Sequence, residues 1–381
     1  IVFIVFLTYM IITKYNQRRP FMKKELTILT AFSIAIILVV TGCQHSSASK
    51  NDSTVTQSVT SYSSSEDMSI EEATTNETSV KEITTEKITT EEITTEEITT
   101  EAPTPTGLLP EERASITMGK LSPEHMYYNE VTTLDPACAD YINELSIYDA
   151  EIDDTFVVHI SLPPDYNEAS SYPMVVMTDG VWRLSDHPEL RPLMTSGQIQ
   201  DVILVSIGYP NTYNYDVIRK RDLQTNPDSF LHFIVDNLIP YLEEIYSVNP
   251  ENMTLTGHSL GGYWAYYALF HNDTIGKNTF ANYYIGSPSM WANTDGKFMS
   301  TYEEEYYNRT QTLNANVYVT VGADEDKNFI SSIEDFYNDL QKRNYSGLNL
   351  TYEKIEGYDH NTVFKPSIKN TLLMFYKKDS E

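Results

Sequence analysis

The segment Gly257-His258-Ser259-Leu260-Gly261 places a serine between two glycines, directly after an apolar run and directly before a helical pattern. Small residues two positions before and two positions after the serine let a strand turn sharply into a helix and expose the hydroxyl at the helix N-terminus. The first N–H of that helix, on Leu260, then faces the place where an oxyanion develops, assisted by the helix dipole. We therefore predict that Ser259 is a nucleophile and that Leu260 is an oxyanion donor.

A serine nucleophile needs a base, and histidine is the side chain most often used to take its proton near neutral pH. Where a strand, a serine and a helix follow one another in this way, the base comes later in the chain, which leaves His271 and His360. His271 lies near the far end of the helix that begins after the serine. His360 lies in a loop between the last predicted strand and the closing helix, and we predict that it is the base.

Three consecutive acidic residues, Asp324, Glu325 and Asp326, follow a predicted strand between the serine and the histidine. A carboxylate there would hold the histidine tautomer and stabilise the imidazolium that forms as the serine loses its proton. Glu325 is favoured because the acid in related loops usually follows the glycine by three residues. Asp324 is its rival and Asp326 is third. The alternative is an acidic surface loop beside an unaided Ser–His pair.

The loop that follows the predicted strand 173–178 is expected to supply a second oxyanion donor. Its sequence is Asp179-Gly180-Val181-Trp182, and Gly180 allows the backbone to approach a ligand closely. The donor would be the N–H of Val181 or of Trp182. Asp179 precedes the serine and is expected to brace this loop rather than to react.

Aromatic and basic side chains near the predicted strand ends are candidates for contact with substrate. Trp182 and Trp291 would suit an aromatic or sugar-bearing ester. Arg183, Arg219 and Arg221 could receive an anionic group, or they could equally pair with the many acids around them. We assign Arg221 to the substrate pocket together with the two tryptophans. The chemistry requires no metal and no organic cofactor.

Short apolar runs that alternate with helical patterns must position these residues. The predicted strands are 155–162, 173–178, 201–209, 252–256, 282–285, 316–321 and 350–355, and the predicted helices are 229–246, 261–270, 330–342 and 366–375. Several strands are apolar at consecutive positions, as expected where both faces of a sheet are covered. The pattern predicts one α/β domain over 108–381, with a mostly parallel sheet, helices on both faces and no large lid.

Residues 1–43 have the pattern of an upstream segment followed by an export signal. Met22 is the favoured start, because two lysines follow it and then a short apolar run over 26–40. The residues Val40-Thr41-Gly42-Cys43 look like the lipobox of bacterial lipoproteins. That resemblance implies cleavage before Cys43, a diacylglycerol thioether on its sulfur and attachment to the extracytoplasmic face of the cell membrane. The alternative is an uncleaved helix with an incidental cysteine.

Residues 44–107 are rich in Ser, Thr and Glu and contain four pentads, which begin at Glu82, Lys87, Glu92 and Glu97. A five-residue period matches neither a strand nor a helix, and one isoleucine per repeat cannot bury enough apolar surface to offset the entropy of ordering. We predict a disordered linker that holds the folded domain away from the cell surface.

The overall composition excludes several classes of protein. The chain has 26 Lys+Arg against 54 Asp+Glu, a formal net charge of -28, so nucleic acid is not an expected partner. Two cysteines exclude a disulfide framework or a Cys-rich zinc module. If Cys43 carries lipid, Cys138 has no partner within the chain.

Seven segments together resemble the Putative esterase family of α/β-hydrolases, which includes enterochelin-type siderophore esterases and esterase D-like enzymes. In chain order they are SLPPDY (161–166), the Asp179-Gly180 turn, RDL (221–223), GHSLGG (257–262), GSPSMW (286–291), VGADE (321–325) and DHNTV (359–363). The resemblance covers about residues 140–378. It implies an α/β-hydrolase fold and a serine esterase that works through an acyl-enzyme, with Ser259, His360 and an acid within 324–326. Some siderophore esterases of this family lack the acid, and a Ser–His dyad without an acid therefore remains an alternative to the triad. Ala292 departs from the family, because many relatives have a second aromatic there, and this affects the shape of the pocket.

We therefore expect a cell-surface serine esterase that hydrolyses a siderophore-type or an acylated-carbohydrate ester. Its expected partners are a small-molecule or glycan ester and, through Cys43, the membrane, and the sequence predicts no oligomeric state. One alternative is an acyltransferase that uses the same triad to pass the acyl group to a sugar or lipid. The other is a surface binding lipoprotein without turnover.

Overall fold

The described part of the protein begins after the predicted linker. The computed structural model describes residues 107–122, 124–127, 130–209 and 215–378, and all of them belong to one compact unit. Cys43 and the predicted signal segment lie outside these residues, as does the predicted linker except for Gly107. No helix within the described ranges is both long enough and apolar enough to cross a membrane.

The strands form a nine-stranded mixed sheet and a separate two-stranded sheet among the described residues. The strands are β1 (Thr117–Lys120), β2 (Glu124–Tyr127), β3 (Glu130–Thr133), β4 (Ile142–Asp149), β5 (Asp154–Ser161), β6 (Tyr172–Met177), β7 (Ile203–Gly208), β8 (Val248–His258), β9 (Asn282–Gly286), β10 (Thr312–Gly322) and β11 (Ser346–Ile355). The large sheet has the order β1-β4-β5-β7-β6-β8-β9-β10-β11, and β2 pairs with β3. From β7 to β11 every pairing is parallel, whereas β1, β4 and β5 pair antiparallel.

The helices are α1 (Pro110–Ser115), α2 (Gly180–Arg183), α3 (Asp186–Thr195), α4 (Tyr215–Lys220), α5 (Pro227–His232), α6 (Ile239–Ile245), α7 (Leu260–Phe270), α8 (Met299–Arg309), α9 (Lys327–Arg343) and α10 (Phe364–Tyr376). A 3-10 turn spans Pro136–Asp140, and π turns span Arg221–Thr225 and Phe233–Leu238. The predicted helix 229–246 is therefore α5, a π turn and α6. Pro240 explains the interruption, because it donates no backbone N–H and its ring crowds the carbonyl four residues earlier.

The central strands are apolar at consecutive positions because apolar clusters cover both faces of the sheet. Strand β6 is buried at every position. Successive side chains of a strand point to opposite faces, so Met174 and Val176 pack into one cluster while Val175 and Met177 pack into the other. Helices α3 and α10 contribute to the second cluster, and helices α5 to α9 contribute to the first.

The α/β-hydrolase fold with a mostly parallel sheet and helices on both faces is confirmed. Each predicted strand overlaps one of the strands β5 to β11, and each predicted helix overlaps observed helix. The prediction missed β1 and β4 at the antiparallel edge of the large sheet and both strands of the small sheet, β2 and β3. It also missed the short helices α1 to α4 and the polar helix α8.

Strand β8 turns directly into helix α7, and Ser259 alone connects them. Ser259 has φ 59° and ψ -119°, in a region that residues with a side chain rarely adopt. The backbones on either side of this turn lie in contact, and position 257 must therefore be a glycine. A Cβ on Gly257 would lie 2.0 Å from the carbonyl oxygen of Gly261.

Replacing Gly257 with alanine should therefore destabilise the protein severely. The new methyl group meets backbone atoms that cannot move without opening the turn, so we expect a loss of about 3 kcal/mol or more in the free energy of unfolding. The matched control is Gly119→Ala, since a Cβ at Gly119 meets nothing within 4 Å, and this variant should stay within about 1 kcal/mol of the parent. Urea unfolding measures both, and equal stabilities would contradict this description of the turn.

Candidate active site

The predicted nucleophile, base and acid lie at one edge of the sheet. Strands β8, β10 and β11 are parallel, so the loops that follow them lie at the same edge. The Oγ of Ser259 lies 2.9 Å from Nε2 of His360, and Nδ1 of His360 lies 2.7 Å from Oε2 of Glu325. These distances are within hydrogen-bond range. The structure thus brings together three side chains that are up to 101 positions apart in the chain.

Glu325 is the acid that contacts His360, and its position is fixed by further hydrogen bonds. Its side chain is only 2% exposed. Its second oxygen, Oε1, accepts the N–H of Gly322 at 2.7 Å and the hydroxyl of Ser287 at 2.6 Å. The rival acids Asp324 and Asp326 are exposed, and Asp326 caps α9 by accepting two backbone N–H groups. Neither rival contacts the histidine.

The loop that carries His360 is held by its own turn and by the acid loop. The carboxylate of Asp359 accepts the N–H groups of Asn361 and Thr362 and the hydroxyl of Thr362. The N–H of Asp324 donates to the carbonyl of Tyr358 at 3.1 Å. The loops that carry the acid and the base therefore support each other.

The backbone N–H groups of Leu260 and Val181 remain the candidates for the predicted oxyanion donors. Leu260 is the first residue of α7 and Val181 is the second residue of α2, and the first N–H groups of a helix have no acceptor within it. The N–H of Trp182 donates instead to the carbonyl of Asp179 at 2.9 Å. Of the two candidates in this loop, the hydrogen bonding favours Val181.

His258 precedes the serine and holds the backbone of the base. Its Nε2 lies 2.8 Å from the carbonyl oxygen of His360, so it donates this proton, and its Nδ1 has no hydrogen-bond partner. Burial, together with the nearby charges of Arg183 and His360, lowers the pKa of His258 to about 3. His258 is therefore neutral at physiological pH and links the turn at Ser259 to the loop of the base.

Arg221 and the two other arginines considered for substrate, Arg183 and Arg219, are bonded to carboxylates. The guanidinium of Arg221 contacts Asp154 at 2.7 Å and Asp222 at 2.6 Å. In the same way Arg219 bonds to Asp179 and Arg183 bonds to Asp186. Both partners of Arg221 are buried, and they neutralise it. The structure therefore shows the second alternative for these arginines, pairing with neighbouring acids.

The two tryptophans assigned to the pocket differ in their surroundings. Trp291 is 65% exposed and lies two residues after Ser289, whose Oγ is 3.4 Å from that of Ser259. Trp182 is partly buried and packs edge-on against Tyr215, with their ring centroids 4.7 Å apart. Trp291 therefore has a free surface near the nucleophile, whereas Trp182 has a structural contact.

Sequence reasoning missed the positioning roles of Ser287 and His258. Ser287 follows β9, has φ 39° and donates to Glu325. Its segment was recognised only as part of the family resemblance, because a serine after a strand has no spacing that reveals which acid it will contact. Among the described residues, no group of three or more His, Cys, Asp or Glu side chains could hold a metal ion.

The buried histidines predict loss of stability in acid. Burial lowers the pKa of His187 and of His258 to about 3, from 6.5, so the unfolded chain takes up protons at these rings that the folded chain does not. Each of these two rings therefore lowers the free energy of unfolding as the pH drops below about 6.5, by about 2 kcal/mol between pH 7 and pH 5. In urea unfolding at these two pH values, His258→Gln should lose about 2 kcal/mol less than the parent. An equal loss would contradict the neutral, buried state of His258.

Solved structures of other proteins share this fold. The BES protein of Bacillus cereus aligns over 67% of this chain and 100% of its own, with 23% identity and a TM-score of 0.56. The siderophore hydrolase EstB of Aspergillus nidulans aligns over 65% of this chain and 98% of its own, with 18% identity and a TM-score of 0.55.

A curated relative and a family profile also match this chain in sequence. The ferri-bacillibactin esterase BesA of Bacillus subtilis (strain 168) is 23% identical over 249 residues, which are 57% of this chain and 83% of BesA. The profile described as Putative esterase matches residues 150–372, more than half of the chain and all of the residues of the Ser–His–Glu arrangement. The chain therefore belongs to the Putative esterase family and is a carboxylic-ester hydrolase.

Proposed function

We propose that this protein is a cell-surface serine esterase that cleaves a siderophore-type or acylated-carbohydrate ester through an acyl-enzyme. The observation that carries the proposal is the continuous chain of hydrogen bonds from Ser259 through His360 to the buried Glu325. Family membership supports the ester-hydrolysing chemistry, and the names of BesA and EstB support a siderophore ester as one substrate class.

The proposed reaction begins with proton transfer from Ser259 to Nε2 of His360 as the serine oxygen attacks the ester carbonyl. Glu325 accepts the Nδ1 proton in a hydrogen bond, which fixes the tautomer and stabilises the imidazolium. The N–H groups of Leu260 and Val181 stabilise the oxyanion. His360 then protonates the leaving alcohol, and a water molecule that it activates hydrolyses the acyl-serine.

The surroundings of the triad favour proton transfer at a partly open site. The side chain of His360 is 37% exposed while that of Glu325 is 2% exposed, so the base is open to substrate and water while its partner is shielded. Phe329 packs edge-on against the imidazole, with ring centroids 5.2 Å apart. The exposed ring of Trp291 is proposed to contact an aromatic or sugar portion of the substrate.

Substitution of the triad should separate the three roles. Hydrolysis of p-nitrophenyl acetate by Ser259→Ala or His360→Ala should fall by at least about 10³-fold in kcat, and by Glu325→Gln on the order of 10²- to 10⁴-fold. Asp324→Asn and Asp326→Asn are matched controls from the same loop and should stay within about threefold of the parent, since neither residue contacts His360. Parent-like rates in both Ser259→Ala and His360→Ala would refute the proposed mechanism.

The substrate class is decided by direct competition between the two candidates. The full chain should release product from either a ferric siderophore ester or an acetylated polysaccharide with a kcat/KM well above that for p-nitrophenyl acetate, because binding of the rest of a true substrate contributes to the transition state. The same reaction with an added sugar acceptor distinguishes hydrolysis from acyl transfer by its products. Failure of both natural esters to exceed the synthetic ester would exclude both classes.

The proposed surface location rests on the lipobox-like residues at Cys43, which lie outside the described part of the chain. Expressed in a bacterial host with its own lipoprotein pathway, the full chain should incorporate labelled fatty acid and sediment with membranes. Cys43→Ser should incorporate none and should appear in the soluble extracytoplasmic fraction. Labelling that persists in Cys43→Ser would contradict the anchor.

A further inference from the structure

The two proposed oxyanion donors lie on different elements, and Arg219 contacts both of those elements. Its Nε and Nη2 donate to the two oxygens of Asp179 at 2.7 and 3.1 Å. Its Nη2 also lies 3.3 Å from the carbonyl oxygen of His258. Asp179 begins the loop that carries Val181, and His258 is two residues before Leu260. One guanidinium thus connects the Asp179 side chain, on one side of the proposed oxyanion site, to the backbone of His258 on the other.

The loop on the Asp179 side needs such support because its conformation is strained. Asp179 has φ 61° and ψ 40°, a left-handed conformation that is uncommon for residues other than glycine. Its carbonyl accepts the N–H groups of Trp182 and Arg183, at 2.9 and 3.2 Å. The direction of the intervening N–H of Val181 therefore depends on how Asp179 is held.

The carboxylate of Asp179 is buried and its contacts are directional. Besides the guanidinium it accepts the hydroxyl of Tyr215 at 2.8 Å. Burial by itself would raise the pKa of this carboxyl, but the charge and hydrogen bonds of Arg219 outweigh it and lower the pKa. Arg219 also lies over the ring of Trp182, with Cζ 5.5 Å from its centroid, so it contacts this loop at two points.

A buried ion pair is weak support for a purely stabilising role, because the desolvation of both charges offsets much of their attraction. A planar fork of donors, in contrast, fixes relative position in a way that a point charge does not. We propose that Arg219 is a positioning residue that holds the Asp179 loop against the turn at Ser259, so that the N–H groups of Val181 and Leu260 face one oxyanion. The inference rests on the proposed esterase reaction and adds to it a residue that touches no reacting atom.

The test compares Arg219→Lys with the parent in kcat, KM, pH profile and affinity for an aryl trifluoromethyl ketone, which forms a tetrahedral oxyanion on the serine. Lysine keeps the charge and loses the fork. We expect kcat to fall about 10- to 100-fold, because small displacements of a donor are costly, while KM changes less than about threefold. The ketone should bind more weakly by about the same factor as kcat/KM falls. The pH midpoint should not move, since the contacts of His360 are untouched.

Two further variants keep the outcome clear. Arg343→Lys is the matched control, because Arg343 makes an equivalent two-oxygen contact with Glu303 between α9 and α8, and its kcat and ketone affinity should equal those of the parent. Tyr215→Phe removes one hydrogen bond to the carboxylate of Asp179 without removing a charge, and it should lower kcat by about threefold to tenfold even if Arg219→Lys does not fold. Together these two variants separate an effect on the Asp179 loop from the general effect of weakening an ion pair.

Parent-like kcat and ketone affinity in a folded Arg219→Lys would overturn the proposal. A rise in KM alone, or a shifted pH midpoint, would overturn it as well, because either result would assign Arg219 to substrate binding or to the base. If Arg219→Lys does not fold, parent-like kcat and ketone affinity in Tyr215→Phe would overturn it instead. Absence of Ser259-dependent hydrolysis in the parent would instead be a failure of the proposed esterase function, and this is measured first.

Discussion

The sharp turn at Ser259 is the constraint on which the rest of the site depends. A serine at φ 59° is held in a conformation that costs on the order of 1–3 kcal/mol, and the surrounding backbone must supply that energy. The last residue of β9 and the loop after it do so, because the N–H of Ser259 donates to the carbonyl of Gly286 and the carbonyl of Ser259 accepts the N–H of Ser289. The same loop places Ser287 on the acid. Strain at the nucleophile and orientation of the acid are thus coupled through one short segment.

Strand direction explains why residues so distant in sequence meet at this turn. The loops after β6, β8, β9, β10 and β11 all lie at the carboxyl edge of parallel strands, and they contribute the Asp179 loop, the serine, Ser287, the acid and the base. Charges at this edge are paired among themselves. The guanidinium of Arg221, for example, bonds to both Asp154 and Asp222, which lie on separate elements. Arg183, Arg219 and Arg221 are each paired with a carboxylate in this way.

Local patterns predicted the elements whose sequences are nearly continuous apolar runs. Buried strands such as β6 and helices such as α7 can be predicted from their own residues. The serine between its glycines could be predicted as well, because that turn permits few other residues. The order of the triad in the chain then identified His360 without any contact information. Sequence could not decide among Asp324, Glu325 and Asp326, since three adjacent acids differ only in which one points inward. It could not show that Arg221 pairs with Asp154, because the two residues are 67 positions apart and no local pattern reveals that pairing. Strand β4 was missed because its burial pattern is mixed, and α2 is too short to show a period.

The most direct test of the central claim is to identify the covalent intermediate. The full chain is mixed with excess p-nitrophenyl acetate, quenched in acid within the pre-steady state and mapped by mass spectrometry, with His360→Gln treated in parallel. The account predicts an acetyl group on the peptide that contains Ser259 in the parent, and formation of that adduct slowed at least about 10³-fold in the variant. An acetyl group that accumulates on another residue, or on Ser259 at the same rate without the imidazole, would contradict the account.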